Sequence, residues 1–261
     1  MKNRIPAVLF FVTVVILLPA CAVRAQETPT ADEIAGMSYN RDDGKDSFSR
    51  IEMFLIDANG NERRRELFVY AKDYGELSKN FIRFLSPADI DGTGFLSQEN
   101  PEADDTQHLY LPELGRARRI VSSQKDLRFV NTDFTYEDMQ RRKPEKDRHR
   151  LLREESWQGH PCYVLEYTPR EKKSSQYGKI IQWIDKESFI PVKMEFYNKK
   201  GKMFKRLTVA SLKKIDGIWT AEDTLMEDYS EKHKTRMLVT EILYNRGADD
   251  GIFTLHNLED Y

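Results

Sequence analysis

Short stretches in which apolar and polar residues alternate dominate this chain from about residue 49 onward. Ile51, Met53 and Leu55 alternate, as do Ile82 and Phe84, then Tyr163, Leu165 and Tyr167, then Ile181 and Trp183, then Val192, Met194 and Phe196. Successive side chains of a strand point to opposite faces, so each set predicts one face of a strand. Strand-like runs fall at 49–56, 66–70, 81–85, 107–111 and 117–121. More regular ones follow at 161–168, 179–185, 190–197, 203–214, 218–227 and 235–244. Turn residues separate most of them. Asn59-Gly60 predicts a two-residue hairpin, because both central positions favour positive φ, and Asp216-Gly217 marks another turn. About a dozen short strands at this spacing predict an antiparallel all-β sheet, sandwich or barrel. Helical patterns are confined to Ala31–Met37, Phe134–Gln140 and Asp249–Leu255. No internal repeat or Gly/Ser-rich linker divides the chain. It reads as one domain over 26–261, with a charged connection near 140–150.

The chain opens differently. Met1-Lys2-Asn3-Arg4 precedes an apolar run from Ile5 to Leu18, the positive n-region and h-region of an export signal. Val23-Arg24-Ala25 predicts cleavage after Ala25 and a soluble periplasmic chain starting at Gln26. The alternative is Leu18-Pro19-Ala20-Cys21, which resembles a lipoprotein box with Cys21 acylated as an outer-membrane anchor. Loss of residues 1–25 removes Lys2, Arg4 and Arg24 and no carboxylate, taking the net charge from −2 to −5. It leaves Cys162 as the single thiol. Cys162 lies in the strand-like run Cys162-Tyr163-Val164-Leu165, which predicts a small buried hydrophobe rather than a reactive group.

The 261 residues are 39% hydrophobic and 32% charged, enough apolar material for one sizeable core and too mixed for collagen or wholesale disorder. The near-neutral balance gives no global basic field for nucleic acid. His108, His149, His160, His233 and His256 have no ligand spacing and no Cys pair to complete a metal site. There is no G-x-S-x-G elbow and no phosphate loop. Gly92-Thr93-Gly94 reads as a tight loop entering a strand. Asp133-Phe134-Thr135-Tyr136-Glu137-Asp138 clusters three carboxylates, and the expectation is a helix start whose acids cap free N–H groups. Two basic stretches, Arg116 with Arg118 and Arg119, and Arg141-Arg142-Lys143, are candidate partner-binding residues for anionic lipid or an acidic protein. The alternating apolar residues named above are the candidate ligand-binding set. They form a packed core if the sheet is filled and line a lipid cavity if it is curved and partly empty.

Several phrases, in order along the chain, resemble the outer-membrane lipoprotein-sorting protein family, related to the periplasmic lipoprotein carriers of Gram-negative bacteria. They are Phe84-Leu85-Ser86-Pro87, Gly92-Thr93-Gly94-Phe95-Leu96, Leu109-Tyr110-Leu111-Pro112 with Arg118-Arg119-Ile120, the Asp133 to Asp138 phrase, and Trp183-Ile184-Asp185 with Pro191. The resemblance implies a mainly β fold, an incomplete antiparallel β-barrel of about eleven strands wrapped around a few short helices. It also implies a non-enzymatic carrier without a cofactor, whose cargo is lipid or lipidated protein. An inner-membrane transporter or outer-membrane acceptor would be its partner. Two departures stand out. A methionine-glycine-serine stretch usual before the acidic phrase reads Val130-Asn131-Thr132, and no position matches the arginine that gates the lid of lipoprotein carriers.

The sequence thus leads to a monomeric periplasmic carrier with an apolar β-barrel cavity, the alternative being a protein-binding or sensor module of the same fold. Intact-mass measurement of the exported protein checks the processing step. The expected mass is that of a chain beginning at Gln26, and an acylated N-terminus at Cys21 would overturn it.

Overall fold

A computed structural model describes residues 28–260. The signal-like segment and Cys21 lie outside the described residues. The chain enters through helix α1 (Ala31–Tyr39), closed at its start by Thr30, whose hydroxyl accepts from the Glu33 N–H while the Glu33 carboxylate accepts from the Thr30 N–H. Thirteen strands follow. The first six are β1 (Asp46–Ile56), β2 (Glu62–Tyr74), β3 (Leu77–Ser86), β4 (Gly94–Gln98), β5 (Thr106–Leu111) and β6 (Arg116–Arg119). The other seven are β7 (Asp147–Trp157), β8 (His160–Pro169), β9 (Lys179–Asp185), β10 (Pro191–Tyr197), β11 (Met203–Ile215), β12 (Ile218–Asp228) and β13 (His233–Tyr244), before a short helix α2 (Leu255–Glu259).

All thirteen pair antiparallel in one sheet ordered β6-β5-β4-β3-β2-β1-β13-β12-β11-β10-β9-β8-β7. Each neighbour is next in sequence except β1 and β13, which join the two halves. The strands that are consecutive in sequence at the middle of the chain, β6 and β7, are therefore the two edges. Residues 120–146 carry the chain from one edge to the other. Their aromatic residues Phe129, Phe134 and Tyr136 are buried in the same cluster as Met53, Leu67, Phe84, Phe95, Leu165, Ile184, Phe196 and Met226. A single sheet can give one core from both halves only by curling around the segment that crosses it.

The mainly β fold and the unclosed sheet are as the sequence and the resemblance imply, with thirteen strands in place of about eleven. Three local readings are corrected. Asn59-Gly60 sits in a five-residue connection, 57–61, where Asp57 accepts from the Asn59 and Asn61 N–H groups at 2.8 and 2.9 Å. The two-residue geometry occurs instead at Asp216-Gly217, with φ of 50° and 87°. The charged connection near 140–150 ends in β7, whose exposed Arg148, Arg150, Arg153 and Glu154 mask its alternation. Residues 134–140 form turns rather than a helix.

The acidic phrase fails as a helix because partners across the fold capture its carboxylates. Asp133 Oδ2 accepts from the Thr235 hydroxyl at 2.7 Å and lies 2.7 Å from His233 Nδ1, both on β13. Glu137 accepts from the Gln176 N–H at 2.9 Å, from the Ser175 hydroxyl and from Arg142 at 3.2 Å. Asp138 accepts from Lys205 Nζ and the Tyr177 hydroxyl, each at 2.6 Å. Lys205 is 1% exposed and also donates to the Asp133 carbonyl at 3.0 Å. Just upstream, Val130 and Asn131 have φ of 47° and 62°. Asparagine accepts that left-handed region and a β-branched valine does not, so Val130 is strained where Arg65 holds its carbonyl at 2.7 Å.

Removing one partner of a buried pair leaves an uncompensated charge. Lys205→Met should cost about 3–5 kcal/mol in denaturant unfolding. Adding Asp138→Asn should recover part of that loss, because the amide is uncharged and its oxygen can still accept from a neighbouring donor such as the Tyr177 hydroxyl. A loss below about 1 kcal/mol for Lys205→Met would show that the crossing segment is not held by this pair.

Candidate functional site

The crossing segment does not fill the curl. On one side, between it and the inner face of β1–β4 and β13, lies a cavity of about 520 Å³. Ile51, Met53, Leu67, Val69, Ile82, Phe95 and Met237 form its sheet wall, and Phe129, Phe134 and Met139 its opposite wall. On the other side is a pocket of about 120 Å³ bounded by Tyr177, Ile180, Met194, Phe196, Leu207 and Met226. Phe134 and Asp138 border both spaces, so the segment is the partition. The larger space falls within the range of about 300–1,000 Å³ usual for small-molecule sites.

Charged residues surround the opening of the larger cavity. Arg41, Asp43, Asp73 and Arg141 line it and also line an adjoining depression of about 540 Å³ beside Tyr39, Gly75 and Pro101. Arg41 donates to the Ser38 carbonyl at 3.0 Å and stands 3.7 Å from Asp43. Burial holds its guanidinium below the usual range, and the neighbouring Arg141 adds to this while Asp43 opposes it. Arg141 donates to the Tyr39 carbonyl and lies 4.4 Å over the Tyr39 ring, while its Nε is buried without a hydrogen-bond partner. Partial desolvation at the mouth of the cavity, then the Asp43 carboxylate, pushes the carboxyl of the exposed Asp73 up.

The sequence-derived candidates divide. Ile51, Met53 and Ile82 line the larger cavity, and Met194 and Phe196 the smaller one. Leu55, Phe84 and Leu165 are closed in the core, at 7%, 0% and 0% exposure, with Tyr163 and Tyr167 packed into or against the same cluster. Ile181, Trp183 and Val192 are on the other face, in a cluster with Cys162, Val164 and Val209. The pairing explains this. Ile180 and Ile184 share the core face of β9, so Ile181 and Trp183 point away, and a bulge at Val192 turns that residue outward while Met194 stays in. Cys162 is fully buried and its thiol is pushed up to about 11 by burial, then by Asp185.

The basic stretches divide as well. Arg116, Arg118 and Arg119 are exposed on the edge strand β6 and have no ion pair among the described residues. Arg142 is committed to Asp147, at 2.8 Å, and to Glu137, and Lys143 is buried with its ammonium on the Asn100 carbonyl. Arg142 and Lys143 are thus internal bracing, while Arg141, drawn to Tyr39, stands at the opening of the larger cavity, so the stretch is not one continuous docking patch. Sequence reasoning missed Leu67, Val69, Phe129, Met139 and Met237 and three of the four charges at the opening, Arg41, Asp43 and Asp73; Arg141 was singled out, as part of a basic stretch.

Asp105 lies near Tyr39 and Lys143, which line the outer depression. It is 8% exposed, its Oδ2 has no hydrogen-bond partner, and burial, then Glu99, pushes its carboxyl up to about 6. The folded chain then holds this proton more tightly than the unfolded one. That contribution is present near pH 4 and lost as pH rises through about 6. Asp105→Asn should be level with the wild type at pH 4 and more stable at pH 7, by about 1–3 kcal/mol. A difference independent of pH in paired denaturant melts would refute the assignment.

The sequence profile of a family described only as an uncharacterized protein matches residues 76–260. No curated protein matches the chain. Among solved structures, the chain is similar to a putative outer membrane lipoprotein-sorting protein domain from Vibrio parahaemolyticus. Identity is 33%, coverage 88% of this chain and 98% of that one, and the TM-score 0.82. A DUF1329 family protein from Desulfovibrio piger is 30% identical over 87% of this chain and 97% of that one, also with a TM-score of 0.82. A LolA superfamily protein from Nitrosomonas europaea, at 21% identity, 87% and 98% coverage and a TM-score of 0.67, shares the fold.

Proposed function

This chain belongs to the outer-membrane lipoprotein-sorting protein family, and on that premise we propose that it is a periplasmic, non-enzymatic carrier that shields lipid acyl chains from water on their way toward the outer membrane. The observation that carries this reading is the unfilled apolar cavity of about 520 Å³ between the inner sheet face and the crossing segment. An apolar space of this size has room for a long acyl chain. Taking a methylene as roughly the size of a water, about 30 Å³, the space holds on the order of 17 of them. Each buried CH₂ contributes roughly 0.8 kcal/mol, so a partly enclosed chain binds without covalent chemistry. The same burial makes spontaneous release into water slow. A membrane transporter on the loading side and an acceptor at the outer membrane supply and remove the cargo.

Two substitutions at Val69 test this, since that residue lines the cavity and is only partly buried. Val69→Glu would set a carboxylate, costly to desolvate, beside the acyl chain, and Val69→Phe would fill the space without adding charge. Titration with a fluorescent fatty acid should saturate in the wild type and weaken at least about tenfold in both variants, with melts confirming the fold. Absence of saturable binding in the wild type would sink the carrier reading.

A further inference from the structure

We propose that the opening of the cavity is a headgroup site for a zwitterionic phospholipid. Its phosphate would lie between the Arg41 and Arg141 guanidinium groups, and its primary ammonium between Asp43 and Asp73. This rests on the reading of the cavity as an acyl-chain site and names the class of lipid it takes. The four residues come from separate stretches: Arg41 and Asp43 between α1 and β1, Asp73 near the end of β2, and Arg141 at the end of the crossing segment's acidic turn. All four line both the cavity and the depression outside it, so a chain in the cavity places its polar end among them.

The like charges are neighbours. Arg141 disfavours the charge on Arg41, and Asp43 disfavours the charge on Asp73. Opposite charges offset this only in part: Asp43 favours the charge on Arg41, and Arg141 that on Asp73. The Arg41–Asp43 separation of 3.7 Å is beyond hydrogen bonding, and Asp73 has no side-chain hydrogen bond or ion pair among the described residues. Arg141 Nε is buried with no hydrogen-bond partner. Two guanidinium groups side by side suit a phosphate, whose oxygens take several N–H donors at once. Two carboxylates side by side suit an ammonium with three donors.

Other amphiphiles satisfy only part of this set. A fatty acid would serve the arginines and leave Asp43 against Asp73. A phosphoglycerol headgroup would bring a negative charge without a positive one. A quaternary ammonium cannot donate to carboxylates. The acylated end of a lipoprotein is joined through ester, thioether and amide bonds and presents neither charge.

The test is displacement of a cavity-bound fluorescent fatty acid from the exported full chain. The competitors share one acyl chain and carry phosphoethanolamine, phosphocholine, phosphoglycerol or plain glycerol, all below their micelle concentrations. The phosphoethanolamine lipid should displace the probe at a concentration about tenfold lower than the glycerol lipid, with the phosphoglycerol lipid between them or weaker. Arg141→Gln and, at an exposed position, Asp73→Asn should each bring that ratio to within about threefold of one. Arg41→Gln repeats the test should Arg141→Gln unfold. Equal displacement by all four lipids, with the probe still binding, would overturn the headgroup site and leave the carrier reading standing. So would a preference for phosphoglycerol, or calorimetric binding of free phosphoethanolamine as tight as that of its lipid. No saturable probe binding would remove both readings.

Discussion

The crossing segment and the buried charges that pin it set the rest of this architecture. A sheet wound outward from β1 to β6 must get back to β7 at the far edge. The shortest covered path lies across its inner face. A backbone crossing an apolar interior brings peptide groups with it, and each unpaired one would cost about 1–3 kcal/mol. The segment meets this with side chains from the sheet. Arg65 takes the Val130 carbonyl, Gln107 that of Tyr136, and Lys205 that of Asp133. Its own acids then pair with Lys205, Arg142 and the β13 residues Thr235 and His233. The network fixes where Phe129, Phe134 and Tyr136 enter the core.

Apolar residues cover the outer face in two different ways. Over the first half, α2 and the turn before it bury Phe81, Leu96 and Tyr110 beneath Phe253 and Leu258. Arg83 secures that cover by donating to the Asn257 and Leu258 carbonyls at 2.8 and 3.0 Å. No helix of the described residues covers the outer face of the second half, α1 packing against β7 with Ile34 and Ala35 in the inner core. There Trp183 is covered by Lys193, whose ammonium lies 3.7 Å from its ring centre and 4.4 Å from that of Trp157. The two edges carry exposed charges, Arg116, Arg118 and Arg119 on one and Arg148, Arg150 and Arg153 on the other. This is a means of preventing strand addition by another chain.

These arrangements decide what could be read from sequence. Where one strand face was apolar and the other polar, alternation located the strand and its inner residues, as at Met194 and Phe196, which alternate with Lys193 and Glu195. Where both faces are covered it could not. Leu67 and Val69 face the cavity, but Phe68 and Tyr70 between them pack under the C-terminal cover, so β2 reads as a continuous apolar run. The same ambiguity put Trp183 and Val192 on the wrong face, the second through a bulge that shifts the period by one. The edge strand β7 was hidden because neither of its faces is strongly apolar. The opening was illegible for a different reason: its charges meet only after a fold of thirteen strands brings residues about 100 positions apart together. The acidic phrase was visible as a cluster, but its partners Lys205, Tyr177 and Thr235 are not adjacent to it in sequence.

The anchoring is uneven, and this bears on how the cavity could take the proposed cargo. Toward the second half, all three carboxylates of the crossing segment are paired, with β11, β13 and residues 175–177. Toward β1–β4 the contact is apolar apart from the Arg65 bond to Val130, and this is the side on which the space lies. Separating apolar walls costs about 25 cal/mol per Å² of newly wetted surface, and an entering acyl chain returns that amount by covering the same surface. Separating the segment from its ion pairs would cost several kcal/mol with nothing in an acyl chain to replace them. On the proposed carrier reading, room for a longer or thicker chain would therefore come from the β1–β4 side, the segment staying with its ion pairs and with the bond from Gln107 on β5 to Tyr136.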